Sequence, residues 1–346
     1  QLTGVQTIYS TIYAFAALKT DGTVVAWGGR DSNGGDISAP TGLTNVQTIC
    51  SNGTDFAALK TDGTVVAWGF YSTGGNGSGV PVGLSGVNTI YSSGGAFAAL
   101  KTDGTVVCWG SPNGGGDALD YNGGSSGISV QSQLTGVQSI YSNSSNFVAL
   151  KTNGSLVTWG SGGGDTLPNG LTNVQTIYST SNAFVALKTD GSVVGWGNNW
   201  YGSWVPSGLT NVKAISFGKQ YYQGRYLSYD YDSNYSINYQ NEITNKASIR
   251  TNQHAFAVLK TDGSVMAWGE SAYGGAAPSG LTNVRTIYST HFAFAALKTD
   301  GTVVAWGSSS NGGFLPNGLT DVQTIYSTYS AFAALRTDGS VVCWGE

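Results

Sequence analysis

The chain has 346 residues, with 15 Lys and Arg against 19 Asp and Glu, a formal net charge of −4 and only 10% charged residues. That balance speaks against a nucleic-acid binder, which normally shows a basic face, and no apolar run approaches the ~20 residues of a membrane-spanning helix. With 52 Gly beside abundant Ser, Thr, Asn and Tyr, a turn-rich β protein is the expected class.

The first unit contains three strand-like pieces. GVQTIYS at 4–10 alternates Val5, Thr7 and Tyr9 with Gln6, Ile8 and Ser10; AFAALK follows at 14–19 and TVVAWG at 23–28. Period-two patterning and β-branched residues favour strands over helices. Pieces two and three are joined by KTDG, where Asp starts a tight turn and Gly supplies positive φ. The stretch from WG to the next GLTNV is variable and Gly-rich, and is expected to form a short outer strand and a loop.

The same unit recurs along the chain. WG falls at Trp27, Trp68, Trp109, Trp159, Trp196, Trp268, Trp306 and Trp344, and a unit near 40 residues lies in the range of propeller blades. Phe15, Phe56, Phe97, Phe147, Phe184, Phe256, Phe294 and Phe332 fill one slot. Ile8, Ile49, Ile90, Ile140, Ile177, Ile215, Ile287 and Ile325 fill another. One unit cannot bury these side chains alone, so neighbours must. The repeated aromatics are therefore assigned to packing. Eight of the fifteen basic residues lie in the KTDG turns, where they read as hairpin closure and solubility. Asn153 replaces Asp in the fourth turn, which fits turn formation better than charge chemistry. Cys50 takes the place of Tyr9, and Cys108 and Cys343 that of Ala26, so all three read as small strand residues. The chain opens at Gln1 rather than Met and reads as a processed product or a segment of something longer.

Three stretches break the repeat. GGGDALDYNGGSSGISVQSQ at 114–133 extends the third linker and reads as a flexible loop, because nothing there leads glycines into a phosphate-binding helix. NNWYGSW at 198–204 carries Trp200 and Trp204, which lie outside the repeat slot; an aromatic rim for sugar or protein contact is one reading, structural burial the other. The step from Trp196 to Trp268 holds an insertion at 216–248, after Ile215 and before Ile249, which stands seven residues ahead of Phe256.

The insert reads as a β-hairpin turning at Asp232–Ser233–Asn234, with Tyr221, Tyr222, Arg225, Tyr226, Tyr229, Tyr231, Tyr235 and Tyr239 as candidate contact residues. Tyr with Asn and Arg combines rigid amphipathic area and adaptable hydrogen bonds. The alternative is a hairpin that packs over its own blade. Asp230, Asp232 and Asn234 have the spacing that opens a calcium loop, but Tyr235 stands where Gly is required and Asn241 where Glu is. No metal and no cofactor are expected.

The string YGSWVPSGLTNVKAI at 201–215, followed by AFxALKTDGxVxAWG, resembles the regulator-of-chromosome-condensation repeat superfamily, nearest the bacterial-type branch with the secreted β-lactamase inhibitory propellers. The resemblance covers nearly the whole chain, since eight units share the V-x-x-I, A-L-K-x-D-G and W-G marks. It implies a β-propeller of four-stranded blades whose partners are bound by variable loops. The nuclear members read G-Q-L-G where this chain has NGG at 33–35, YGS at 201–203, YGG at 273–275 and NGG at 311–313. That departure speaks against a chromatin or exchange role.

The expected architecture is all-β, a single domain over 1–346 with about eight four-stranded blades; the alternative is seven blades and a spare unit. The last blade lacks its outer strand or borrows one. His254 and His291 are the only histidines and are expected to be kept apart by one blade; with no catalytic constellation, an enzyme is not expected. Sequons at Asn52, Asn76, Asn143, Asn153 and Asn234 are glycosylation candidates. The expected role is a non-enzymatic extracellular module for binding or assembly. It would use a protein partner or self-association through 216–248 and the variable loops, with a glycan as a further ligand class. An intracellular regulatory scaffold or exchange factor, or an inhibitor of a secreted enzyme, are the alternatives.

Overall fold

The computed structural model describes residues 2–28, 38–69, 79–120, 128–161, 167–198, 203–206, 209, 212, 249–251, 254–260, 262–316 and 319–346. Two compact units divide these residues, one within Gln1–Leu167 and the other from Pro168 onward. Each repeat forms one antiparallel sheet, with first, second and third strands at Val5–Ser10, Ala14–Lys19 and Val24–Gly28 in repeat 1. There are eight such sheets among the described residues, the number a propeller of about eight blades requires.

The register is the same throughout. Phe15 pairs with Trp27 across the second and third strands, as Phe97 does with Trp109 and Phe332 with Trp344. The two rings stack at 5.2–5.7 Å. Just before the first strand, the chain turns through positive φ, at Gly4, Asn45, Gly86, Gly136, Asn173, Asn283 and Asp321. That is why the repeat accepts only Gly, Asn or Asp there. In repeat 6, Ile249 pairs with Val258, the same register as Ile8 with Ala17.

Side chains alternate between the two faces of each sheet, and successive sheets fit face to face. Ala14, Ala16 and Leu18 of sheet 1 pack on Ile49, Phe56 and Trp68 of sheet 2, with Leu43 of the linker wedged between. The same seam joins sheets 2 to 3 and 3 to 4 in the first unit, and 5 to 6, 6 to 7 and 7 to 8 in the second. Fully burying one such aromatic contributes about 1.5–3 kcal/mol. Backbone bonds reinforce each seam: the Gly22 carbonyl of the KTDG turn accepts the Val46 N–H at 3.0 Å, as Gly63 accepts from Val87 and Gly301 from Val322. The turn thus closes its own hairpin and fastens the next sheet.

Among the described residues seven sheets have three strands and one has five. After WG the chain makes a 3₁₀ turn, at Pro112–Gly114, Ser271–Tyr273 and Ser309–Asn311, and crosses to the next sheet. There Gly115, Gly274 and Gly312 accept the indole N–H of Trp159, Trp306 and Trp344 at 2.9–3.1 Å. The glycine is required: φ is +92° at Gly312, and a Cβ would stand 2.6 Å from Phe332 Cδ2.

One expectation needs correction: the extension at 114–133 is not simply a flexible loop. Leu119–Asp120 and Ile128–Ser129 pair, and Asp120 lies parallel to Gly160 at the edge of sheet 4, the sheet after its own. Ala118, Val130 and Leu134 are buried in the seam between sheets 3 and 4, and that burial holds the ends of the extension.

Candidate functional site

In sheets 2 to 8 the repeated aromatics are consumed by the seams. Phe56, Phe97, Phe147, Phe184, Phe256 and Phe294 are fully buried, and so are the Trp rings stacked on them. Residues that depart from the repeat are therefore the candidates for contact chemistry. Of the candidates named from sequence, Tyr221, Tyr222, Arg225, Tyr226, Tyr229, Tyr231, Tyr235 and Tyr239, with Trp200, Asn76 and Asn234, lie outside the described residues.

Trp204 is described, and it is 84% exposed. Its neighbour Val205 points inward and joins the seam between sheets 5 and 6, so the alternating backbone turns the indole to solvent. Phe314 repeats this arrangement. It is 74% exposed and precedes Leu315, which packs into the seam between sheets 7 and 8. Sequence reading missed Phe314. The signal was there, since both aromatics stand immediately before an apolar residue and Pro.

The histidines are not kept apart by a blade. His254 leads into the second strand of sheet 6, and His291 precedes that of sheet 7. Phe292 lies between them, with ring centroids 5.5 Å from His254 and 4.6 Å from His291. Tyr273 stands 4.6 Å from His254 and 4.8 Å from Phe292, and Tyr329 of sheet 8 stacks on His291 at 4.2 Å. His254 Nδ1 is 3.3 Å from Glu270 Oε2. The loop geometry behind this is regular. His291 N–H donates to the Tyr329 carbonyl, just as Ile12 donates to Gly53 and Gly53 to Gly94 in the first unit. These main-chain bonds bring neighbouring loops together, and the second unit loads them with rings. Burial lowers the His254 pKa; burial and then His254 lower that of His291 to about 3. Both imidazoles are therefore neutral at physiological pH, and the cluster offers aromatic faces with one adjacent carboxylate.

Two glycosylation candidates are buried in the folded sheet. Asn52 is 1% exposed, its Oδ1 accepting the N–H groups of Thr54 and Asp55 while Nδ2 donates to Asp55. Asn143 is 7% exposed and accepts the N–H groups of Ser145 and Asn146 in the same manner. Each folds its side chain back over the loop after the first strand, where a glycan has no room. Asn153 is exposed in its turn, with Oδ1 held by Ser155. The exposed Asp residues of the other turns are held the same way; the Thr105 hydroxyl, then its N–H, lowers Asp103 to about 2. Among the described residues no group of three or more potential metal ligands occurs, and no helix is long and apolar enough to cross a membrane.

No protein-family model and no curated protein matches the chain. Similar solved structures include the ectodomain of the Physcomitrella patens receptor kinase CR4, at 15% identity over 86% of this chain and 72% of that one, with a TM-score of 0.44. They also include Saccharomyces cerevisiae Prp20p, at 15% identity over 90% and 74%, with a TM-score of 0.41. A eukaryotic initiation factor is similar at 10% identity over 100% and 86%, with a TM-score of 0.47. Prp20 is yeast RCC1, and the Prp20p structure is described with its binding to Gsp1p and histones.

Proposed function

We propose that the chain is a non-enzymatic extracellular β-propeller, kin to the bacterial-type branch, that serves as a binding or structural module of a secreted or surface structure. The observation that carries this is the division of aromatic side chains. In sheets 2 to 8 the repeat buries its Phe and Trp in seams, whereas the variable linkers turn Trp204 and Phe314 to solvent. Exposed aromatics on loops held by a rigid scaffold are contact residues in the usual sense. The Tyr-rich insert at 216–248 extends this surface in the proposal, and Asn153 is its preferred glycan site.

Fractionation of the native source tests the location: the protein is expected in the medium or at the cell surface, and recovery only from the cell interior contradicts it. Deletion of 217–246 tests the insert. The deleted chain is expected to melt cooperatively while losing its native partner; unchanged partner retention rules the insert out.

A further inference from the structure

The aromatic cluster of the second unit holds an unbalanced charge. Glu270 follows the third strand of sheet 6 and opens the 3₁₀ turn Ser271–Tyr273. Its N–H donates to the His254 carbonyl at 3.1 Å, and its own carbonyl accepts the Tyr273 N–H at 3.1 Å. These bonds pin Glu270 beside His254 and set Tyr273 one turn further on. The carboxylate keeps an outlet to water, since the side chain is 36% exposed. Among the described residues its one ionic neighbour is His254, whose Nδ1 lies 3.3 Å away. Burial keeps that imidazole neutral, so it supplies no counter-charge. Lys260, Lys298 and Arg336 stand at the far ends of the second strands of sheets 6, 7 and 8, roughly 15–20 Å from the cluster at about 3.3 Å per residue.

Aromatic surface adjoins this charge. Tyr273 and Phe292 stand 4.8 Å apart with their rings tilted, and both are only partly buried. The row runs on through His291, 4% exposed, to Tyr329, 50% exposed. The geometry points to a docking point for an arginine side chain of a protein partner, its guanidinium paired with Glu270 and its flat face laid on Tyr273. A planar guanidinium donates two parallel N–H bonds to a carboxylate and stacks on a ring, so it uses both features of the site. A lysine ammonium is a compact, strongly hydrated charge without a face to stack. The net charge of −4 on the whole chain favours the approach of a cation. The site uses no linker aromatic, so its failure and the failure of the role given to Trp204 and Phe314 are separate outcomes.

The molecule carries its own reporter. His254 and His291 are the only histidines of the chain, and both lie in this cluster, so their ring proton resonances read the site alone. The probe is a blocked glycyl-arginyl-glycine tripeptide titrated into the full chain. Three controls accompany it: the same peptide with lysine, the same peptide with citrulline, whose neutral urea keeps the shape of the guanidinium, and methyl glucoside. The arginine peptide is expected to shift the His254 resonances saturably, with half-saturation at about 1–10 mM. Glu270→Gln, at a partly exposed site, should weaken this about tenfold. Tyr273→Leu should weaken it about fivefold. Cooperative melting like that of the parent is the check on folding for both variants. The lysine peptide should bind more weakly, and citrulline and the sugar should leave the resonances in place. Absence of a saturable shift with the arginine peptide overturns the proposal, and so does an undiminished shift in Glu270→Gln. An equal response to citrulline or lysine removes the guanidinium from the account. Saturation by methyl glucoside in place of the arginine peptide makes the row of rings a sugar platform and also overturns it.

Discussion

At the residue scale, the clearest dependence is on glycine where two sheets meet. Gly312 and Gly280 both have positive φ, but only Gly312 lies against an aromatic ring, Phe332; a methyl group added at Gly280 would meet nothing within 4 Å. Gly280→Ala is therefore expected to cost about 1 kcal/mol, the backbone term alone, and Gly312→Ala about 2–4 kcal/mol once crowding is added. Urea unfolding of the two variants measures the difference; equal costs would remove the crowding argument. The turn carboxylates make a second case. Asp103 is lowered from 3.8 to about 2 by the Thr105 hydroxyl and N–H, so its contribution is complete above about 4 and is lost as pH falls through about 2. Asp103→Asn should flatten the fall in stability across that window and leave neutral stability nearly unchanged, as Asn153 already makes the same bonds to Ser155. His291 acts at higher pH. Its pKa is depressed to about 3, so the unfolded chain binds a proton below about 6.5 that the folded chain refuses. Stability should decline on acidification from that point, by up to about 1.4 kcal/mol per pH unit. His291→Phe should make the decline shallower when denaturant midpoints at pH 7 and 4.5 are compared.

At the scale of the sheet, the value of a residue is set by whether a neighbour covers it. Phe97 is fully buried between sheets 2 and 3, while Phe15 in the same slot is 38% exposed. Phe97→Ala is expected to cost about 3–5 kcal/mol. Phe15→Ala should cost no more than about half of that in dilute solution, because part of the ring is already in water. Unfolding at low concentration decides this, and equal losses would mean that the face of sheet 1 is covered. The three repeat strands were legible in the sequence because Val, Thr and Tyr alternate and KTDG announces its turn. The restriction to Asn, Asp or Gly before each first strand went unread in the sequence, and the positive φ there explains it. The linker was not legible either. Its composition says loop, and nothing in NGG or YGG states that the first glycine carbonyl will cap a Trp on the following sheet. Burial of Asn52 and Asn143 was likewise hidden, since a sequon carries no sign of which way its side chain folds.

At the scale of the whole molecule, the repeated phrase builds seams, and each seam needs a partner on either side. In the proposed function, the positions that leave the repeat carry the contact chemistry: Trp204 and Phe314 are exposed on linkers, and the rings around His254 and His291 gather on adjoining loops. These breaks were visible in the sequence as places, but not as neighbours, because the histidines meet only through the main-chain bonds that draw successive loops together. The most direct test is partner retention by the full chain carrying Trp204→Ala and Phe314→Ala, with cooperative melting as the check on folding. Loss of the native partner from a chain that still melts like the parent is the predicted result; undiminished retention would contradict the division of aromatic side chains between seams and linkers.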